Sequence, residues 1–230
     1  MSNTDNTISN LTDLSNSVTN IHYDEKYFDW QRPMGEFGGK INKSKFSAFI
    51  SKDDEVLDFG CGGGFLLKNI NCKKKIGVEI NASASKIAKE NGLDEVFERL
   101  DEVPDDYVDI IISDNALEHT YYPLDELKKL YSKLRSNGKI IFVVPCEHIS
   151  VKFKPNDINQ HLYSWSPMGI GNLFTLAGFA VISAKPYRHR WPPFYTKIFK
   201  ILGRKIFEIA CRIYGYVDHK LIEVRIIAKK

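Results

Sequence analysis

From residue 55 onward the chain alternates between short apolar runs and longer amphipathic stretches. Val108-Asp-Ile-Ile-Ile-Ser113 and Lys139-Ile-Ile-Phe-Val-Val144 are nearly continuous in apolar, mostly β-branched residues. Such runs mark strands covered on both faces. Residues 55–59, 75–80 and 95–98 predict three strands ahead of them, and 179–185 and 221–227 predict two after them. Between these strands, residues 65–70, 82–91, 123–134 and 167–177 place apolar side chains at helical spacing. Proline opens the last two, and Gly92 and Gly178 stand where a terminating glycine belongs. Seven strands with helical crossovers predict an α/β three-layer sandwich on a mostly parallel sheet. Residues 221–227 alternate in the manner of an edge strand.

The ends of the chain differ from its middle. Residues 1–20 hold 13 Ser, Asn or Thr and no Lys or Arg, so 1–21 reads as a disordered polar tail with neither the basic nor the apolar region of a secretion signal. A single domain is expected over 22–230, with a basic helical insertion at about 187–219. The overall charge of +3 conceals an asymmetry: residues 185–230 carry 12 Lys/Arg against 3 Asp/Glu, while the first 184 carry 20 against 26. Attraction to anionic partners therefore belongs to the C-terminal fifth. There a helix is expected from about Tyr195. Ile198, Leu202, Phe207, Ile209 and Ile213 share one side of it, and Lys197, Lys200, Arg204, Lys205 and Arg212 lie elsewhere. It either packs on the sheet with a solvated basic face or meets an anionic lipid surface. No apolar run reaches the roughly 18 residues of a spanning helix. The expected location is cytoplasmic, with peripheral contact at the inner face of the membrane.

The stretch that carries chemistry is Asp58-Phe-Gly60-Cys-Gly62-Gly-Gly64, between a strand and a helix. Glycines there let the backbone turn tightly and approach a ligand, and amides at a helix start can meet an anion. The spacing is Gly-x-Gly-x-Gly: the third glycine of a dinucleotide fingerprint is replaced by Phe65. The following strand ends in Glu79, a carboxylate able to accept both hydroxyls of a ribose. No Gly-Lys-Ser/Thr phosphate loop and no Gly-x-Ser-x-Gly elbow occur.

With Val56–Gly64, Gly77-Val-Glu79, Asp109–His119 and Leu134–Pro145, the chain resembles the class I S-adenosylmethionine-dependent methyltransferases. The resemblance implies a Rossmann-like seven-stranded sheet of order 3-2-1-4-5-7-6 and S-adenosyl-L-methionine as cofactor. By position, Gly60, Cys61, Gly62 and Gly64 would bind its methionine end with Asp58 nearby. Glu79 would hold the ribose with Ile80 beside it, and Asn115 with Ala116 would flank the sulfonium. Arg99 stands about where many relatives have an adenine-binding Asp, so Leu100 and Asp101 become the adenine contacts.

On the acceptor side, His161 and His119 are candidate general bases, with Glu147 and Asp157 in the same loop as His161. Tyr23 and Tyr27 would either close over the cofactor or pack on the sheet edge. No metal site is expected: Cys61, Cys72, Cys146 and Cys211 are widely spaced and read as reduced thiols. A nucleophilic Cys146 is disfavoured, since no basic cluster surrounds it. Amine methylation of nucleobases is disfavoured too, because Asp114-Asn-Ala-Leu117 replaces the Asp/Asn-Pro-Pro-aromatic run of those enzymes. The expected acceptor is a small molecule or carbohydrate, such as a surface-glycan or lipid-linked precursor, with O-methylation favoured. Rivals are an RNA methyltransferase, a nicotinamide oxidoreductase and a non-catalytic scaffold of the same fold.

Overall fold

The computed structural model describes residues 25–155, 157–218 and 220–230. The polar tail, Tyr23 and the side chain of Tyr27 lie outside the described residues. The strands form one seven-stranded sheet of order β3-β2-β1-β4-β5-β7-β6, the order implied by the resemblance. The chain divides into two compact units, one ending at Val103 and the other beginning at Pro104.

The first unit opens with α1 (Glu25–Asn42) and two single 3-10 turns, Lys43–Lys45 and Ser47–Phe49. Then come β1 (Glu55–Phe59), α2 (Phe65–Lys68), β2 (Lys74–Val78), α3 (Ala82–Glu90) and β3 (Glu95–Phe97). β1, β2 and β3 pair in parallel, with Asp58 opposite Gly77 and Phe59 opposite Val78. Val56, Leu57 and Ile76 on the strands and Leu67 and Ala88 on the helices are fully buried. Helix α1 is absent from the sequence reading because Pro33 and three glycines argue against a helix there. Packing overrides propensity: a Cβ on Gly39 would lie 2.2 Å from the Phe65 carbonyl oxygen, and one on Gly35 would lie 3.0 Å from the Phe65 ring. Glycines four apart form the smooth face on which α1 meets the start of α2.

The second unit contains β4 (Val108–Asp114), a 3-10 turn at Leu117–His119, α4 (Pro123–Lys133) and β5 (Leu134–Glu147). α5 (Pro167–Leu176), β6 (Ala180–Tyr187), α6 (Tyr195–Val217) and β7 (Leu221–Lys229) complete it. Three expectations are corrected here. β5 begins at Leu134, ahead of the strand expected at Lys139: Val108 pairs with Leu134 but Ile110 with Lys139, so the register is irregular there, and Asn137 sits at φ 65° within the irregularity. β7 is an interior strand, antiparallel to both β5 and β6. Its alternation reflects the burial of Val224, Ile226 and Ala228 on one face, while β6 carries the exposed edge.

The third correction concerns α6. Gly203 has φ 71° and ψ 174°, a conformation open to glycine, and it breaks the helix into two segments whose apolar stripes no longer run in phase. Phe207, Cys211 and Gly215 face inward, and a Cβ on Gly215 would lie 2.9 Å from the Arg188 carbonyl carbon. His189 Nε2 meets Glu208 at 3.0 Å, and Arg190 pairs with Asp218 at 2.7 Å, which fixes the second segment in place. The opposite face of that segment presents Ile206, Ile209, Ile213, Tyr216 and Val217 to solvent. Ile209 and Ile213 therefore do not share a side with Phe207.

Candidate functional site

In the first unit the glycine turn is built on the end of β1. Gly60, Gly62 and Gly64 all have positive φ, at 72°, 53° and 71°. The turn's amides are largely committed within the protein. Those of Gly60 and Cys61 both donate to the Val78 carbonyl oxygen, at 3.0 and 3.1 Å, and that of Gly64 donates to the Cys61 carbonyl oxygen at 2.9 Å. The Gly62 amide donates to Glu79 Oε2 at 2.8 Å. The loop is thus shaped by its own bonds rather than held open as a row of unused donors.

Two of its glycines are required by packing. A Cβ on Gly64 would lie 2.7 Å from Leu93 Cδ1, and one on Gly77 would lie 2.5 Å from Cys61 Sγ. Gly62 is different, since a Cβ there would meet nothing within 4 Å. Space on that side belongs to whatever the turn receives.

Glu79 is the counterpart of the turn. Its Oε1 accepts the Asn81 amide at 2.8 Å while Oε2 accepts that of Gly62. A carboxylate has about four lone-pair directions, so two remain for a pair of vicinal hydroxyls. Burial pushes the Glu79 carboxyl above its ordinary value, and the Asn81, Gly62 and Ile80 amides pull against that shift. Asn81 then caps α3, its side chain accepting the Ala84 amide at 3.0 Å. Ile80 is 41% exposed beside Glu79, an apolar surface next to a polar one, as a nucleoside requires. Open space at Gly62, a half-satisfied carboxylate and an exposed Ile80 fit the methionine, ribose and base portions of S-adenosylmethionine.

The remaining cofactor candidates are distributed as follows. Asp58 is buried on β1 and the Cys61 side chain is buried against Gly77; burial, with Glu79 and Asp58 nearby, pushes the Cys61 thiol well up. Leu100 is buried in the turn after β3, and Asp101 is exposed beside it. Asn115 and Ala116 follow β4 in the second unit. Asn115 has φ 58°, a conformation Asn tolerates better than most residues, and its Nδ2 donates to Glu223 Oε1 at 3.0 Å.

The second unit brings His119 and His161 together, with ring centroids 5.0 Å apart and edge to face. His161 Nδ1 lies 2.9 Å from Glu147 Oε1, a contact in which the imidazole donates and Nε2 keeps its lone pair. The strap bearing His161 is tied down by three bonds: the Leu162 amide to the Glu118 carbonyl oxygen, the Trp165 amide to that of Pro145, and the Glu147 amide to Ser164 Oγ. Asp157, by contrast, is exposed and accepts the Gln160 amide in a turn. Cys146 is half-buried and its thiol is pushed up by burial, against a nucleophilic role.

Sequence reading passed over Glu118 and Glu223. Glu118 has no accessible surface, and neither of its carboxylate oxygens has a hydrogen-bond partner. Burial above all, with Asp114, Glu223 and Glu147 nearby, pushes its carboxyl well above the usual range. Nothing in an acid between Leu117 and His119 signals that it points inward.

Comparison with known proteins shows the family. Residues 32–184 match the family model described as "Methyltransferase domain". An uncharacterized methyltransferase of Schizosaccharomyces pombe is 33% identical over 98 residues, covering 39% of this chain and 37% of that protein. The chain thus aligns with little more than a third of that relative. A SAM-dependent methyltransferase from Archaeoglobus fulgidus superposes with a TM-score of 0.61 at 22% identity, covering 89% of this chain and 99% of its own. One from Thermotoga maritima gives 0.63 at 15% identity, covering 88% and 94%. The chain belongs to the methyltransferase-domain family, the class I S-adenosylmethionine-dependent methyltransferases.

Proposed function

We propose that this enzyme methylates a hydroxyl of a small-molecule or carbohydrate acceptor, such as a surface-glycan or lipid-linked precursor. The observation that carries the reading is the Glu147–His161 pair beside His119. A carboxylate, or an amine already in its neutral form, needs no such base, whereas a hydroxyl must lose its proton as it attacks. When bound, S-adenosylmethionine supplies a methyl group on a cationic sulfur already activated for displacement. Gly60, Cys61, Gly62 and Gly64 form the turn that receives it, with Asp58 beneath. Glu79 takes its ribose, and Ile80, Leu100 and Asp101 border its base.

On the acceptor side His161 Nε2 takes the hydroxyl proton. Glu147 holds the ring in the tautomer that permits this and stabilises the imidazolium that results. His119 orients the same hydroxyl. The chain contributes proximity, orientation and exclusion of water more than chemical activation.

The outward face of α6 supports a membrane-associated acceptor. Ile206, Ile209, Ile213, Tyr216 and Val217 are exposed, and Lys205 and Arg212 border them. Among the described residues no helix is long and apolar enough to cross a membrane, so this face would lie on an anionic surface. The test is transfer of label from methyl-labelled S-adenosylmethionine to a panel of sugar, lipid-linked sugar, amine and RNA acceptors. Labelling of a sugar hydroxyl is the expected result, and exclusive labelling of amines or RNA overturns the reading.

A further inference from the structure

The buried acid and the two histidines of the second unit form a set of donors that base catalysis alone does not use. One donor atom from each of Glu118, His119 and His161 lies within 4.8 Å of the other two. We propose that Glu118, His119 and His161 hold a divalent transition-metal ion. Three observations converge on it.

Glu118 is completely buried with both carboxylate oxygens lacking hydrogen-bond partners, and His119 Nε2 stands 4.0 Å from Oε1. A buried carboxylate without partners costs several kcal/mol unless something compensates it, and a cation would. His161 is already arranged as metal-binding histidines are. Its Nδ1 is engaged by a carboxylate, Glu147, at 2.9 Å, which leaves Nε2 available to a ligand. The donors are also close together: metal–ligand bonds of about 2 Å need donors within about 4 Å of one another, which small rotamer shifts reach from the present separation of up to 4.8 Å.

Two imidazoles and one carboxylate suit zinc, cobalt, iron or manganese rather than calcium or magnesium. They leave coordination positions open, which is the arrangement of a site that binds substrate rather than one that only braces a fold. In the proposed reaction the open position takes the acceptor oxygen. A bound ion would lower the proton affinity of the acceptor hydroxyl, whose proton would pass to solvent water as the methyl group is transferred, and His161 would then be a ligand in place of the base. Only this last role rests on the hydroxyl reading; binding of the ion does not.

The test uses tag-free, chelator-treated full-length protein without donor or acceptor, titrated calorimetrically with zinc and followed by visible absorption with cobalt. One ion per chain with a cobalt ligand-field band is the expected result. His161→Ala and Glu118→Gln should each abolish the band, and Glu147→Gln should weaken affinity by about 10–100-fold. His148→Ala, outside the cluster, should leave it unchanged. Should Glu118→Gln misfold, the loop variant His161→Ala still decides the matter. No saturable binding, or binding equal in wild type and His161→Ala, overturns the proposal. S-adenosylmethionine affinity, measured separately, shows whether the methyltransferase reading stands on its own.

Discussion

Glu79 Oε2 accepts the amide of Gly62 at 2.8 Å, so the acid that ends β2 braces the glycine turn that ends β1. One side chain therefore has two tasks, shaping the loop and offering its remaining lone pairs to a ribose. Glu79→Ala removes both. Hydrogen bonds to a charged group are worth about 1.5–3 kcal/mol each. Loss of the pair should weaken S-adenosylmethionine binding by roughly 100-fold or more by calorimetry.

The same carboxylate sets a pH dependence. Burial raises its value above that of an ordinary Glu, and only the ionised form accepts on both oxygens. Affinity for S-adenosylmethionine should be full well above that raised value and fall as pH drops through it. Protonation replaces an acceptor with a donor and disturbs the Gly62 and Asn81 contacts. In Glu79→Ala this part of the pH dependence should vanish. A wild-type affinity that stays flat down to the ordinary carboxylate range contradicts the assignment.

Gly77 has no side chain because Cys61 occupies the space: a Cβ would lie 2.5 Å from Cys61 Sγ and 2.9 Å from Leu93 Cδ2. Gly77→Ala should destabilise the protein by about 1–3 kcal/mol, the usual cost of overpacking a core. In Cys61→Ala/Gly77→Ala the sulfur is gone, and much of that loss should be recovered in urea unfolding. If the two changes simply add, the clash is not what fixes the glycine.

The exposed face of α6 gives a prediction about membranes. Burying an Ile side chain is worth about 1.5–3 kcal/mol, and each basic residue near an anionic surface adds about 1 kcal/mol. Wild type should sediment with phosphatidylglycerol-containing vesicles, and less so as salt rises. Ile209→Ser/Ile213→Ser should reduce partitioning at least tenfold while leaving thermal stability nearly unchanged, because both side chains are exposed. Self-association that the double variant abolishes, without any vesicle binding, would assign the face to a second copy of the chain.

Much of the fold could be read from the sequence because its strands announce themselves. The β-branched runs of β4 and β5 permit no other reading, and Gly92 at φ 89° and Gly178 at φ 106° end their helices by the mechanism their residue type suggests. The Glu79–glycine-turn pairing was legible too, since both lie at strand ends in one local unit. What escaped depends on contacts distant in sequence. Helix α1 exists because Gly35 and Gly39 fit against Phe65, a relation invisible in its own propensities. The direction of the α6 stripes depends on a single backbone conformation at Gly203. The partner of His161 was visible only as one of several acids in a loop, and Glu118 became notable only once its burial was known.

His161 and Glu147 allow positioning to be separated from proton transfer. Loss of a general base typically costs 10²–10⁴-fold in rate, so His161→Ala should lower kcat by at least about 10²-fold while S-adenosylmethionine affinity stays at the wild-type level. Glu147→Gln keeps a group able to hold the ring in place but removes the charge that stabilises the imidazolium. It should lower kcat less than His161→Ala does. A purely structural role for Glu147 would lower thermal stability and leave kcat of the folded enzyme unchanged. Repeating the measurement after chelation separates the two forms of catalysis: an imidazole acting as base retains activity without metal, whereas a ligand to a bound ion loses it. If His161→Ala keeps wild-type turnover, with and without added zinc, the acceptor is not a hydroxyl that this cluster deprotonates.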